Sequence, residues 1–266
     1  MVIALLIFIL LAVGYISLIL PRLICRADMS ELDCDFAHRG LHGKELPENS
    51  LGAFRLAVEH RKGIELDVQL SSDGIPMVFH DESLLRVCGR NEKLCELTAA
   101  ELSGIALCGN DKYTVPTLKQ VLELVDGRVP LLIELKTGNA ELCPVVAEML
   151  DGYGGSFCIE SFDPRLLAWM KKYRPQYARG QLVGRSVKEK HTESLVQNFI
   201  LVSLISHLLS RPDFVAADVN MKGNLSFFLC RKLFGIPVYG WTVRDGETYK
   251  ACKKKGMNTI FENFIP

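Results

Sequence analysis

The chain has 266 residues, 48% of them hydrophobic, a length that suits one barrel-sized domain with a large core and leaves little room for two full domains. Its 31 basic residues balance its 31 acidic residues, so no overall charge attracts the protein to nucleic acid or to an anionic surface. Because nine is an odd number, the nine cysteines cannot all form intramolecular disulfides, and the absence of any C-x-x-C spacing argues against paired-cysteine zinc sites. We therefore expect buried free thiols in a reducing compartment.

An uncharged apolar run occupies residues 1–20 and ends at Pro21-Arg22. Twenty helical residues at ~1.5 Å each span the ~30 Å hydrocarbon core of a bilayer. The run lacks the basic start and the cleavage site of a secretory signal, so we interpret residues 1–21 as a transmembrane anchor and residues 22–33 as a linker. Because Arg22 and Arg26 follow the run, the positive-inside bias places the remaining domain on the cytoplasmic side of the cell membrane.

From residue 34 to the end, apolar strand-like runs alternate with helix-like runs, a rhythm typical of a parallel α/β fold. Eight strand positions in this length favour a closed TIM-type (β/α)8 barrel over an open sheet. The predicted strands are Cys34–His38, Ile64–Leu70 with the neighbouring Met77–His80, Pro130–Lys136, Ser156–Ser161, Arg179–Val183, Phe214–Val219, Pro237–Val243 and Asn258–Glu262.

Helices are predicted between these strands. Leu51–Arg61 follows Ser50, a good N-cap, and precedes Gly63, and further helices are expected at Leu118–Val125, Ala140–Leu150, Pro164–Tyr173 and Ser194–Leu209. Residues 81–116, rich in Cys, Gly and Asn, fit no single barrel element and are interpreted as a small insertion near the rim. The apolar segment Phe199–Leu209 is too short for a second span. We interpret it as an outer barrel helix, with the alternative that it helps to seat the barrel on lipid.

Two predicted strands carry carboxylates on alternate positions. In Gly63–Leu70 the period of two sends Glu65 and Asp67 to one face, and in Leu131–Lys136 it sends Glu134 to one face together with Lys136. The opposite, apolar faces would meet the helices, so the three acids face the barrel mouth, where an unpaired charge is costly. Such an all-oxygen site suits Mg²⁺ or Ca²⁺ rather than zinc, although Glu134 and Lys136 alone could form an ordinary buried ion pair.

Two histidines lie at corresponding strand ends: His38 in Phe36-Ala-His-Arg-Gly40 and His80 in Pro76-Met-Val-Phe-His-Asp81. Imidazole accepts and donates protons near neutral pH, so two of them beside one scissile bond can act as base and acid. A single histidine at a strand end is more often structural, but here the two ends flank the strand that carries Glu65 and Asp67.

Positive charge suited to a phosphate lies next to these groups. Arg39 adjoins His38 and offers a bidentate fork, and Lys136 adjoins Glu134. Pro47-Glu48-Asn49-Ser50 links the first strand to its helix, which places Glu48 and Asn49 at the C-terminal rim, where barrel active sites are built.

The ordered set of these motifs resembles the signature of the glycerophosphodiester phosphodiesterase family, in a membrane-anchored, bacterial-type form, over residues 34–266. Each motif alone is weak, but the order is specific. The resemblance implies a TIM barrel, one divalent ion held by three acids, a histidine acid/base pair, a basic pair on the phosphate, two polar residues at the rim and two aromatic pocket residues. The resemblance assigns the ion to Glu65, Asp67 and Glu134, the acid/base pair to His38 and His80, and the phosphate contacts to Arg39 and Lys136. It assigns the rim positions to Glu48 and Asn49 and the pocket aromatics to Phe162 and Trp241.

The chain departs from the family pattern at two places. The family's last strand usually ends in an Asp followed shortly by Pro, whereas this chain reads Thr259-Ile-Phe-Glu-Asn-Phe-Ile-Pro266. After Trp241-Thr-Val, where the family often carries Asn, this chain has Arg244. Neither departure touches the expected metal or acid/base residues.

The implied reaction is hydrolysis of a glycerophosphodiester to glycerol 3-phosphate and an alcohol, with either water or the neighbouring glycerol hydroxyl as nucleophile. A second hypothesis keeps the site but substitutes a lysophospholipid or a phospholipid headgroup as substrate, since the protein is expected in a membrane. A third is an inactive membrane-tethered binding module, against which the retained buried charges argue because they are expensive to keep. No nucleic-acid or protein partner is implied.

Overall fold

The computed structural model describes residues 1–24, 26–136, 141–184, 202–221 and 224–266. Its strands, in chain order, are β1 (Phe36–Ala37), β2 (Gly63–Leu70), β3 (Pro76–Val78), β4 (Ala106–Leu107), β5 (Asn110–Thr114), β6 (Leu131–Leu135), β7 (Phe157–Ser161), β8 (Ala178–Val183), β9 (Phe214–Asp218), β10 (Val238–Val243) and β11 (Asn258–Phe261). Parallel pairing runs through β1, β2, β6, β7, β8, β9, β10 and β11, and β11 pairs back with β1. The predicted eight-stranded TIM barrel is therefore confirmed.

Helices surround this barrel. In chain order the described ones are α1 (Val2–Ile19), α2 (Leu51–Glu59), α3 (Leu85–Cys88), α4 (Ala99–Leu102), α5 (Leu118–Val125), α6 (Leu142–Asp151), α7 (Pro164–Tyr173), α8 (His207–Ser210), α9 (Leu225–Phe234) and α10 (Gly246–Lys254). Ser50 caps α2 as expected, since its Oγ accepts a hydrogen bond from the Ala53 backbone N–H at 3.1 Å.

The first half of the helix predicted over Ser194–Leu209, residues 194–201, lies outside the described residues, which resume at 202. The part that is described is a turn followed by α8, and the start of the helix predicted at Ala140 is likewise outside them. The helices α9 and α10 were not predicted from the sequence.

The alternation along each strand separates two hydrophobic layers. Ile64, Leu66 and Val68 of β2 are fully buried in the layer between sheet and helices. A second cluster fills the barrel interior, where the ring of Phe214 packs against that of Tyr239 at 5.0 Å. A Cβ on Gly180 would lie 2.0 Å from the Phe214 ring, so only glycine leaves room for this ring.

Residues 81–116 form short elements beside the barrel. They include α3, α4, a 3-10 turn at Leu94–Glu96 and the hairpin β4-β5. Side chains from this segment and from β3 bury a separate small core that contains Leu84, Leu94 and Leu102. None of these elements continues the barrel sheet, as the sequence predicted.

The eight cysteines among the described residues are all free thiols. Four of them are buried, as expected: Cys143, Cys158, Cys230 and Cys252. The expectation of burial is wrong for Cys95 and Cys108, which lie exposed in the segment 81–116, because the small core of that segment covers only part of it.

The apolar N-terminal run forms α1, with a mean hydropathy of 3.0 and no charged residue. Of its residues only Ile19 is buried. By length and composition α1 can cross a membrane, and a signal sequence near an N-terminus has the same character.

Candidate active site

Three carboxylates lie together at the carboxyl ends of β2 and β6. The parallel register sets Asp67 directly beside Glu134, and Glu65 lies two residues earlier on β2. Because alternate residues of a strand share a face, all three point into the barrel mouth. One oxygen of each lies within 4.8 Å of the other two, a separation that one cation with oxygen distances of ~2.0–2.6 Å can bridge.

Two cationic side chains and one amide hold these acids. Lys136 Nζ lies 2.8 Å from both Asp67 Oδ1 and Glu134 Oε1. Arg39 donates its backbone N–H to Glu65 at 2.8 Å, and its Nε lies 3.4 Å from Asp67 without forming a hydrogen bond. Asn49 Nδ2 donates to Asp67 at 2.8 Å. Both Arg39 and Asn49 have positive φ, near 54° and 53°, so the loop is tightly bent where it meets the acids.

Burial and charge set the protonation of the acids. Burial, and then repulsion from Asp67, raise the pKa of Glu65 well above its usual range. Burial also raises the pKa of Glu134, which Lys136 only partly offsets. Asp67 behaves oppositely: burial would raise its pKa, but the nearby charge of Lys136 leads a set of contacts that hold it well below its usual range. Keeping all three acids ionised at once therefore requires more positive charge than Lys136 and Arg39 supply.

A fourth carboxylate, that of Glu160, lies beside these acids and was not predicted from the sequence. Glu160 on β7 pairs in register with Glu134, is 1% exposed and has no hydrogen-bond partner for its Oε2. Burial, followed by repulsion from Glu65, raises its pKa well above the usual range. The same period of two that identified Glu134 could have identified Glu160, since Cys158 and Glu160 alternate with the outward-facing Ile159.

His38 is held by a residue from the far end of the chain. Its Nδ1 lies 2.5 Å from Glu262 Oε2, and Arg244 Nε donates to Glu262 Oε1 at 2.5 Å. Burial lowers the pKa of His38 to about 4, although the hydrogen bond to Glu262 opposes this shift. The expectation that neither departure from the family pattern touches an acid/base residue is therefore wrong: Glu262 bonds to His38, and Arg244 bonds to Glu262. Neither contact was predicted, because nothing local in the sequence pairs these residues.

His80 is held by its sequence neighbour. Its Nδ1 lies 2.5 Å from Asp81 Oδ1, and Gln69 Nε2 donates to the backbone carbonyls of Phe79, His80 and Asp81 at 2.8, 3.1 and 2.9 Å. Gln69 is the third inward residue of β2, so the strand that carries the acids also fixes the turn that carries His80. Both His38 and His80 lie close enough to Asp67 to interact with its charge.

Glu48 connects the two histidine loops through arginines. It accepts from Arg39 Nη1 at 2.7 Å and from Arg86 Nη2 at 2.6 Å, and Arg86 Nε donates to Asp81 at 2.6 Å. Burial alone would raise the pKa of Glu48, but these arginines hold it at about 2. Arg86 comes from the segment 81–116, and no sequence motif indicated its place at the rim.

Phe162 and Trp241 form one wall of the mouth. Their rings meet edge to face with centroids 5.7 Å apart, and both border the cluster inside the barrel. The Nε1 of Trp241 is buried without a hydrogen-bond partner. All eleven residues singled out in the sequence are thus described, on the loops and strand ends of the same rim or just inside it.

Three comparisons identify relatives of this chain. The sequence profile of the "Glycerophosphoryl diester phosphodiesterase family" matches residues 38–266. A glycerophosphodiester phosphodiesterase of Caldanaerobacter subterraneus is 29% identical, covering 84% of this chain and 91% of that protein, and a human lysophospholipase D is 30% identical, covering 86% and 82%. The solved structure of an Oleispira antarctica phosphodiesterase in complex with the product sn-glycerol-3-phosphate has a TM-score of 0.71 and 26% identity, covering 86% of this chain and 92% of that one.

A family match over most of the chain agrees with the barrel and with the acids and imidazoles at its mouth. The protein belongs to the glycerophosphoryl diester phosphodiesterase family and is an enzyme of that class.

Proposed function

We propose that this enzyme hydrolyses glycerophosphodiesters to glycerol 3-phosphate and an alcohol with the help of one divalent cation, Mg²⁺ or Ca²⁺. The observation that carries the proposal is the charge imbalance of the buried site. When ionised, the four carboxylates of Glu65, Asp67, Glu134 and Glu160 face only two cationic side chains, those of Arg39 and Lys136, and the raised pKa values of three of them reflect this shortage. A divalent cation would balance the difference, and hard oxygen ligands suit Mg²⁺ and Ca²⁺.

The ligands in this proposal are Glu65, Asp67 and Glu134. When bound, the ion would neutralise charge on the phosphate oxygens of the substrate. Lys136 has three donors, of which Glu134 accepts one at 2.8 Å, while Asp67 Oδ1 pairs with the ammonium without accepting a hydrogen bond, so donors remain for a phosphate oxygen. The Nε of Arg39 is a buried donor without a hydrogen-bond partner, which a substrate oxygen would satisfy.

His38 and His80 are proposed as the acid/base pair. One imidazole takes the proton of the attacking hydroxyl as its oxygen bonds to phosphorus, and the other gives a proton to the alkoxide as the bond between phosphorus and the leaving oxygen breaks. The carboxylates of Glu262 and Asp81 each accept from a histidine Nδ1, which leaves Nε2 as the nitrogen that exchanges the proton. The attacking hydroxyl belongs to water or to the glycerol of the substrate.

Glu48, Asn49, Phe162 and Trp241 are proposed to shape the substrate site. Glu48 orients Arg39, Asn49 orients Asp67, and the two rings form an apolar wall against which a glycerol or alcohol group can pack.

A lysophospholipid is the second candidate substrate. The human relative is named a lysophospholipase D, and α1 can cross a membrane. We propose that residues 1–21 anchor the enzyme and that the barrel of residues 34–266, joined by residues 22–33, lies on the cytoplasmic side, as Arg22 and Arg26 after the apolar run favour.

The test compares glycerophosphocholine and lysophosphatidylcholine in micelles, each with and without a chelator. We expect hydrolysis to stop with chelator and to return on addition of Mg²⁺ or Ca²⁺. Glu134→Gln should abolish this metal response, whereas Glu123→Gln, a change at a 65% exposed side chain on α5, should not. Full activity in the presence of chelator would contradict the proposal, and the better substrate of the two decides between the candidates.

A further inference from the structure

The apolar helix α1 is seated on the barrel in a fixed direction. Tyr15 Oη lies 2.6 Å from Ser226 Oγ, the thiol of Cys230 donates to the Ile19 carbonyl at 3.3 Å, and Arg26 Nη2 donates to the Phe234 carbonyl at 3.0 Å. Residue numbers rise together along both segments. The chain from Tyr15 to Arg26 therefore runs parallel to α9.

Side chains of the barrel also cap the end of α1. His207 Nδ1 donates to the Ile19 carbonyl at 3.0 Å, and Arg211 Nη1 donates to the carbonyls of Ser17 and Leu20 at 3.0 and 2.8 Å. The last carbonyls of a helix have no partner within it, so these bonds tie the helix end to the barrel rather than to water.

The direction of α9 shows which end of the barrel α1 comes from. α9 follows the carboxyl end of β9 and precedes the amino end of β10, so it runs from the active-site rim to the opposite rim. The chain after α1 also runs toward the opposite rim. The Arg22 backbone N–H donates to the Pro212 carbonyl, just before the amino end of β9, and the Leu32 carbonyl accepts from the Tyr239 hydroxyl inside the barrel. Residues 2–14 therefore extend beyond the rim that carries the active site.

The length of α1 fixes how close the rim comes to the membrane. At ~1.5 Å per residue its 18 residues measure ~27 Å, slightly less than the ~30 Å hydrocarbon core. The whole helix is therefore needed for a span, including Tyr15–Ile19, which contact the barrel. The barrel surface beside Tyr15 must then lie at the membrane interface.

That surface has the chemistry of an interface. Leu225 and Phe228, in the first turns of α9, are 62% and 57% exposed and border a cleft of about 410 Å³. Arg231 and Lys232 line the same cleft about one turn further from the rim. Apolar side chains nearest the hydrocarbon and basic ones at the next level suit acyl chains and anionic headgroups, respectively.

We infer that the catalytic mouth faces the bilayer entered by α1 and that Leu225 and Phe228 contact the surface of this bilayer. Phosphodiesters resident in the bilayer are then the substrates. The inference rests on the proposed function for its substrate, and on the course of α1 for its geometry. The sequence offered lipid seating as an alternative for the segment Phe199–Leu209, which is described only from residue 202. The present inference places a lipid contact on α9 and leaves that alternative as it stood.

The first experiment measures geometry without activity. The full chain is reconstituted in phosphatidylcholine vesicles, with and without brominated acyl chains, as Phe228→Trp and, as the matched control, Tyr173→Trp at the amino-rim end of α7, where the side chain is 47% exposed. We expect bromine to quench the fluorescence added by Phe228→Trp and not that added by Tyr173→Trp. Equal quenching, reversed quenching or no quenching of either would overturn the inference.

The second experiment measures substrate access. Leu225→Glu combined with Phe228→Glu should reduce hydrolysis of lysophosphatidylcholine in vesicles by roughly tenfold or more, the factor expected for losing one buried apolar side chain. Hydrolysis of water-soluble glycerophosphocholine and all activities of Tyr173→Glu should stay unchanged. An equal fall with both substrates would overturn the inference. Failure of the unmodified enzyme on both substrates would refute the proposed function and leave the quenching result valid.

Discussion

Replacing Lys136 with methionine tests the charge balance of the active site directly. The ammonium lies 2.8 Å from two buried carboxylates, and its side chain is only 12% exposed. Removing one partner of a buried ion pair destabilises a protein by ~3–5 kcal/mol, because it leaves uncompensated buried charge. At ~2–4 °C per kcal/mol for a domain of this size, the metal-free protein should melt roughly 6–20 °C lower.

The assay is thermal unfolding of the full chain in detergent with chelator. It should be run at alkaline pH, because Glu134, whose pKa burial raises, takes up a proton more readily as pH falls and would then offset the lost ammonium. Saturating Mg²⁺ or Ca²⁺ should raise the melting temperature of Lys136→Met more than that of the unmodified protein, because a cation then replaces the missing charge.

Lys93→Met is the matched control. Lys93 Nζ lies 2.6 Å from Glu82 Oε1, but both side chains are about half exposed, at 51% and 53%, so solvent screens the pair and little change is expected. If Lys136→Met and Lys93→Met had the same melting temperature in chelator, the reasoning about buried charge at this site would be refuted.

Three further outcomes are expected. His38→Ala and His80→Ala should each lower kcat by ~10²–10⁴-fold, and near-normal turnover in either would remove that residue from the acid/base pair. Glu262→Gln should move the acid limb of kcat/KM to lower pH, because burial lowers the pKa of His38 and the carboxylate at present opposes that shift; an unmoved limb would contradict this role. Glu160→Gln should stabilise the metal-free protein increasingly as pH rises from 5 to 8. Burial and then Glu65 raise the pKa of Glu160 in the folded protein, so the unmodified protein loses stability as pH rises above the carboxyl pKa of the unfolded chain toward that raised value. A melting-temperature difference that does not grow with pH would count against it.

The strands and their inward faces could be predicted because the signal is local. Ile64, Leu66 and Val68 alternate with Glu65 and Asp67, and a period of two specifies which residues share a face whatever the strand pairs with. The helices α9 and α10 gave no such signal. In α9 the apolar Leu225 and Phe228 are exposed, and in α10 only Cys252 is buried, so residue hydrophobicity alone does not mark which face of either helix is buried.

The partners of the active-site residues depend on contacts between distant parts of the chain. Glu262 reaches His38 across 224 positions, and Arg86 reaches Glu48 across 38, so no local pattern could indicate either bond. Glu160 is different, because its strand did show alternation, and only the register with Glu134 reveals that its carboxylate belongs to the same charge cluster.

The sequence by itself determined the barrel, the apolar helix and the order of acids and imidazoles along the chain, because periodicity and residue chemistry are properties of neighbouring residues. Only the tertiary structure decided which charges meet and from which rim α1 leaves the barrel. Those depend on strand register and on the seating of α1 against α9, where free energy is gained by burying surfaces that the linear sequence keeps far apart.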